Sequence, residues 1–386
     1  VRSLLLLLTA CGIQVEGPPA TDPAPPLQGS NGVEASEVVG DAYTPTNGDV
    51  VFVEPATGTR FNLLGEAFDG ERAGTQLGRM PGMSAFWFAW SSHHPGARVW
   101  PEGVNNPDAA ILSNDQCGVP CEEMITACRG GKDCIPSIDR PRWVTAGSDE
   151  LGYLVDEDRV LGLTHEGRAR AYPLDALWTH EIVNDTWGDW SFSVTYCPLT
   201  GSGLVVDGLK DGESLRFGVS GRLFNSNLIL YDRASDSLFG QMRQVGLFGD
   251  EVHTELSTAA VIDTTWGTWR RMHPDTEVLS ERVGTARYPY GDYRTDQTDT
   301  FMINRPLPET TYPLKSYAIG LIAGGETVVY PFAELRARVG EQGIVQDTVG
   351  GLPVVVVFDL RDDTAAIYSR QVGEDVLTFE MGDTAR

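Results

Sequence analysis

In the stretch TYCPLTGSG, Thr195 to Gly203, one cysteine closes a β-branched and aromatic run directly before a proline and a glycine-rich turn. A thiol at a strand end before such a turn is expected to be partly accessible. Upstream, WTHEIVN carries His180 on a segment of helical spacing. An imidazole beside a thiol lowers its pKa toward nucleophilic or redox chemistry, or shares with it a soft metal ion such as copper or zinc. Cys197 and His180 are therefore the candidate catalytic pair and the candidate metal ligands, expected to meet at a cleft. The competing reading makes Cys197 a small buried hydrophobe and His180 a helix residue with one hydrogen bond. In FNSNLILYDRASDSLFGQ, the polar residues Asn225, Asn227, Asp232, Arg233 and Gln241 alternate with apolar ones at strand-like spacing. They form a candidate binding wall, with turn and sheet-edge hydrogen bonding as their plainer use.

Four further cysteines, Cys117, Cys121, Cys128 and Cys134, cluster in DQCGVPCEEMITACRGGKDCIPSID, where polar residues, Gly and Pro make a local core implausible. Two disulfides with three possible connectivities are one reading, and a four-cysteine zinc site is the other. The N-terminus favours disulfides. VRSLLLLLTACG has a basic residue, a leucine run and Leu-Thr-Ala-Cys, the pattern of a lipoprotein signal peptide whose Cys11 would take the lipid. That predicts export to the bacterial cell envelope, where thiols are oxidised. Cys197 is then the odd thiol. Residues 12–38, rich in Pro, Gly and small side chains, read as a disordered tether. No later run approaches the ~20 apolar residues of a transmembrane helix, so the lipid is the expected membrane attachment. With 54 acidic against 29 basic residues, the formal charge of −25 opposes binding to nucleic acid.

The elements that must position Cys197 and His180 follow from periodicity. VLGLTHE, RARAYPL, SFSVTYC, GLVVDGL and SLRFGVS read as strands, PLDALWTHEIVN as a helix, and Trp266 to His273 as a second helix ended by Pro274. The expected class is α+β with antiparallel sheet dominant. An internal repeat orders these pieces. VLGLTHEGRARAYPLDAL from Val160 matches AIGLIAGGETVVYPFAEL from Ala318, and IVNDTWG from Ile182 matches IVQDTVG from Ile344. Trp87, Trp90, His94 and Pro95 fall opposite Trp266, Trp269, His273 and Pro274. The N-terminal region (39–101) thus holds the second half of a unit, residues 150–286 a whole unit, and residues 317–386 a first half. Residues 102–149 are an insertion and 287–316 a connector. Each half leaves an apolar face open, so the two ends are expected to rebuild a second, pseudo-symmetric unit.

The ordered series DCIPSIDRPRWV, ARAYPL, HEIVND, TYCPL, FGVSG, NSNLILYDR, SLFGQ, HPDTEVL and PYGDY resembles the bacterial and archaeal family known as domain of unknown function 3179. Many members carry Cys-Pro-Leu-Cys where this chain has Cys197-Pro198-Leu199-Thr200, so a dithiol role lacks its second thiol here. The family brings no established activity. Three readings follow: an envelope lipoprotein holding a soft metal through Cys197 and His180, a thiol-dependent enzyme, and a non-enzymatic scaffold or binding protein.

Overall fold

The computed structural model describes residues 34–383 apart from 39, 47, 102, 104–110, 112, 211–212, 281–289 and 304–311. Cys11 and nearly all of the expected tether lie outside the described residues. Four seven-residue helices are present among the described residues: α1 (Trp87–His93), α2 (Leu174–His180), α3 (Trp266–Met272) and α4 (Phe332–Arg338). Everything else regular is strand or short 3-10 turn, so the class is α+β with antiparallel sheet dominant.

Each helix grows directly out of a strand and is cut short by local sequence. His94 and His273, which cap α1 and α3, precede Pro95 and Pro274 and leave helical geometry, because a proline ring crowds the backbone of the residue before it. Helix α2 stops at Glu181, which adopts the left-handed conformation (φ +59°). The sequence PLDALWTHEIVN is therefore not one helix: Ile182–Trp187 is a strand, its Val, Ile and Trp drawn into sheet pairing with Trp190–Cys197.

Two sheets share one pattern. In the first, Arg159–His165 lies between Ile262–Thr265 and Arg168–Pro173, all antiparallel. Arg168–Pro173 also runs parallel to Glu277–Leu279. In the second, Tyr317–Ala323 lies between Met83–Phe86 and Glu326–Pro331, antiparallel, and Glu326–Pro331 runs parallel to Arg98–Val99. The N-terminal and C-terminal regions thus meet in a single sheet. They meet again where Val51–Glu54 pairs with Glu380–Met381 and where Phe52, Phe61 and Phe379 form one aromatic cluster. Two three-strand meanders complete the frame, Ile182–Trp187 with Trp190–Cys197 and Ser202–Asp207, and Gln342–Val349 with Leu352–Asp359 and Thr364–Ser369.

Glycine fixes the helix-on-sheet distance in both sheets. A Cβ on Gly162 would lie 2.2 Å from the Trp269 ring, and one on Gly320 would lie 2.4 Å from the Trp90 ring. The indoles of α3 and α1 can lie against the backbone only because these positions lack a side chain.

The cysteines pair within the segment as Cys117–Cys121 and Cys128–Cys134. The segment finds its apolar contacts outside itself. Cys117, Val119 and Met124 are buried with Phe224, Ile229, Tyr231 and Leu247. The segment builds no core of its own but covers an apolar face of a neighbouring sheet, to which it adds the strand Ile125–Thr126.

Candidate functional site

Cys197 ends its strand opposite Ser202, but its thiol is not accessible: 1 % of the residue is exposed, within an apolar cluster that includes Ile182, Leu199, Leu228 and Tyr293. The expected partial exposure is thereby corrected. The hairpin that follows Phe217–Phe224 is responsible, because its turn residues Asn225 and Ser226 both take positive φ and fold back over the thiol. The thiol donates to the Ser226 carbonyl at 3.7 Å. Burial, with the nearby Glu181 carboxylate second, pushes its pKa up to about 11, against a smaller opposing pull from the Thr200 hydroxyl. At neutral pH Cys197 carries its proton, the opposite of an activated nucleophile.

His180 makes its hydrogen bond to another residue. It is half-buried, and its Nδ1 lies 2.7 Å from the Pro136 carbonyl. No hydrogen bond joins it to Cys197. The side chain that does sense Cys197 is the next one, Glu181. Its left-handed backbone donates to Leu177 and accepts from the Tyr196 amide at 2.8 Å, which puts Glu181 beside the residue preceding Cys197. Burial raises its carboxyl pKa to about 8. Tyr290, in the PYGDY motif, completes the group: its phenol pKa is raised by burial, by Glu181 and by Cys197. Sequence reasoning passed over Glu181 and Tyr290, although the HE pair and PYGDY were both in view. Among the described residues, no group of three or more His, Cys, Asp or Glu side chains is placed to hold a metal ion.

The candidate binding wall is largely engaged with the protein itself. Asn227 Nδ2 donates to Gln241 Oε1 at 2.7 Å and to Thr200 Oγ1 at 3.0 Å, while Gln241 Nε2 donates to Thr195 Oγ1 at 3.0 Å. Asn225 Nδ2 donates to the Ser92 carbonyl, and Arg233 reaches both carboxylate oxygens of Asp133, tying the cysteine-rich segment down. Asp232 accepts from the Ser235 amide within a turn. Of these residues, Asn227 and Gln241 tie their sheet to the segment that carries Thr195, Cys197 and Thr200.

Open space lies on another side of the molecule. A cavity of about 530 Å³ is bounded by the N-terminal region and by the hairpin Arg159–His165/Arg168–Pro173. Its wall includes Arg79, Thr164 and His273. Thr164 Oγ1, Arg79 Nε and His273 Nε2 are all shut away from solvent without a hydrogen-bond partner. Burial, with the Arg79 charge second, pushes the His273 pKa down to about 3, so its imidazole is neutral. Buried polar groups without partners are uncommon and costly, about 1–3 kcal/mol each. All three atoms are closed to solvent, so they lie behind the cavity surface, which their residues line through other atoms.

No curated protein and no solved structure matches this chain. The model of the family described as Protein of unknown function (DUF3179) matches residues 132–385, and the chain belongs to that family.

Proposed function

We propose that this is a non-enzymatic binding protein of the bacterial cell envelope, held there through a lipid on Cys11, with its ligand site in the cavity walled by Arg79, Thr164 and His273. The observation that carries this reading is about 530 Å³ of space, a volume typical of small-molecule sites, with the polar residues Arg79, Thr164 and His273 in its wall. The paired disulfides suit an oxidising compartment. The frame is a duplicated one in this proposal. Residues 150–286 form one unit and the two chain ends together form the other, a reading supported by the shared strand order of the two sheets and by the Gly162–Trp269 and Gly320–Trp90 contacts. Native mass spectrometry of the lipidated protein tests the binding reading. A small molecule retained in gentle ionisation, and lost when Ala260→Trp fills the cavity wall, is the expected result. Retention of the same molecule by the filled variant sinks it.

A second reading keeps a soft cation, copper or zinc, at Cys197, now with Glu181 as its companion. The coupling of Cys197, Glu181 and Tyr290 favours it, since a cation can bind the thiolate, carboxylate and phenolate as their protons leave to solvent, and no cation contributes to the Glu181 or Cys197 shift. His180 would join only by releasing Pro136. Elemental analysis of native protein beside Cys197→Ser decides: metal absent from both removes this reading. A thiol-dependent enzyme is the least supported of the three, because the thiol is buried and protonated.

A further inference from the structure

We infer that the strand Gln342–Val349 is a dimer edge, at which a second copy of the chain pairs antiparallel through the same strand. This goes beyond the binding reading and does not involve the cavity. The two three-strand meanders have four outer edges, and three of them are covered by the chain itself. Ser202–Asp207 pairs with Thr258–Ala259. Thr364–Ser369 receives the Met80 amide at the Ile367 carbonyl and gives the Ser369 amide to the Gly78 carbonyl. On Ile182–Trp187, the Ile138 amide donates to the Ile182 carbonyl and the Asn184 amide donates to the Ile138 carbonyl, both at 2.9 Å. The fourth edge, Gln342–Val349, has Leu352–Asp359 on one side and no strand on the other among the described residues.

The ladder fixes which groups face outward. The Leu360 amide donates to the Glu341 carbonyl at 2.6 Å, so by antiparallel alternation Glu341, Gly343, Val345 and Asp347 bond inward. Gln342, Ile344, Gln346 and Thr348 then present their backbone outward. Thr348 is already engaged, its carbonyl accepting from Arg98 and its amide donating to Asp347 Oδ1. The outward groups of the other three have no partner among the described residues, and Gln346 is exposed. Edges are commonly blunted by a bulge, a proline or a lysine, and this one has none of these over eight residues in unbroken register. Such an edge accepts another strand. The window 342–346, Gln-Gly-Ile-Val-Gln, is uncharged in a chain of net charge −25 and is nearly its own complement. Turned about a two-fold axis at Ile344, it sets Ile344 against Ile344 of the second copy and Gln342 against Gln346. The acids at its ends are already held, Glu341 by Arg336 at 2.9 Å and Asp347 by Arg98 at 3.0 Å. This match of the edge to itself selects a second copy over a strand of another protein.

Sedimentation of the full-length protein in detergent should show reversible exchange between monomer and dimer. Ile344→Lys and Ile344→Glu should each weaken the dimer by about tenfold or more, because each sets like charges face to face across the axis. Mixing the two variants should restore pairing as a mixed dimer, which also shows that both are folded. Hydrogen exchange on the unaltered protein gives a test that needs no variant. The amides of Gln342, Ile344 and Gln346 should slow by about tenfold or more from dilute to associated protein, while those of Ile182–Trp187, whose edge Ile138 already covers, stay as they are. A protein that remains monomeric at millimolar concentration overturns the inference. So does a dimer that both variants form as well as the parent, or exchange at these three amides that association leaves unchanged. Amides slowed by native cell extract but not by concentration overturn the second copy and assign the edge to another protein.

Discussion

The hairpin Ile182–Trp187/Trp190–Cys197 and the hairpin Gln342–Val349/Leu352–Asp359 each follow a seven-residue helix that springs from a Tyr-Pro strand end, and each carries the same internal bond. Tyr172 donates to Asp185 at 2.7 Å in the first, and Tyr330 donates to Asp347 at 2.8 Å in the second. An arginine braces each aspartate, but from different strands. Arg170 sits on Arg168–Pro173 and also holds Glu277 across the parallel pairing, whereas Arg98 sits on the short parallel strand and holds Glu326. Cation and anion have exchanged strands while the bond to aspartate has survived. At the hairpin ends the likeness stops. Cys197 is buried beside Glu181, while Asp359 is paired with Arg361 and accepts from Gln342. Gly343, opposite Phe358, stands where Glu181 stands opposite Tyr196. The Tyr–Asp–Arg brace is what this architecture needs twice; Glu181 and Cys197 are features of one hairpin.

Removing the aspartates should separate the two hairpins most strongly. Asp185 and Arg170 are both buried, so Asp185→Ala, which leaves Arg170 only the partly exposed Glu277 and takes the acceptor from Tyr172, is expected to cost about 3 kcal/mol. Asp347 and Arg98 are more exposed, and Asp347→Ala should cost about 1 kcal/mol. Equal losses in urea denaturation would mean that the braces are equivalent after all. Next in size, Gly162→Ala and Gly320→Ala should each destabilise by about 1–3 kcal/mol, because both force an indole off the sheet. A loss at only one of them would break the likeness at its best-matched point.

Glu181 sharpens the difference through pH. Its carboxyl holds a proton up to about pH 8 in the folded protein, against 4.5 for the free group. The native state therefore binds more protons across that window. Its contribution is fully present below pH 4.5 and declines as pH rises to about 8, by at most about 1.4 kcal/mol per pH unit. Glu181→Gln should flatten that part of the stability profile, and an unchanged slope would show that the carboxyl titrates normally. The smallest effect concerns rate alone. With a pKa of about 11, the Cys197 thiol should react with a disulfide reagent at pH 7 at least about 100-fold more slowly than a free cysteine. Labelling at the free-thiol rate would place it at the surface.

Much of the frame was legible because it depends on neighbours in sequence. Strand alternation and the Pro residues after His94 and His273 act locally, and Gly162 and Gly320 recur in register, so the class and most strands could be read directly. The end of α2 could not. His180 and Ile182 fit the helical spacing, and only sheet pairing with Trp190–Cys197 outweighed it. The buried state of Cys197 was hidden for the same kind of reason, since the turn that covers it lies at Asn225 and Ser226.

By itself, then, the sequence determined the charge, the family, the α+β class and the clustering of four cysteines, properties that depend on residue type and short spacing. Only the tertiary structure decided which titratable groups face each other and which polar atoms lack partners. Glu181, Tyr290 and Cys197 come together across more than one hundred residues, and Arg79 meets Thr164 and His273 across nearly two hundred. The physical reason is that burial and charge coupling act through space over a few ångströms, and no spacing along the chain encodes a meeting made by several sheets packing at once.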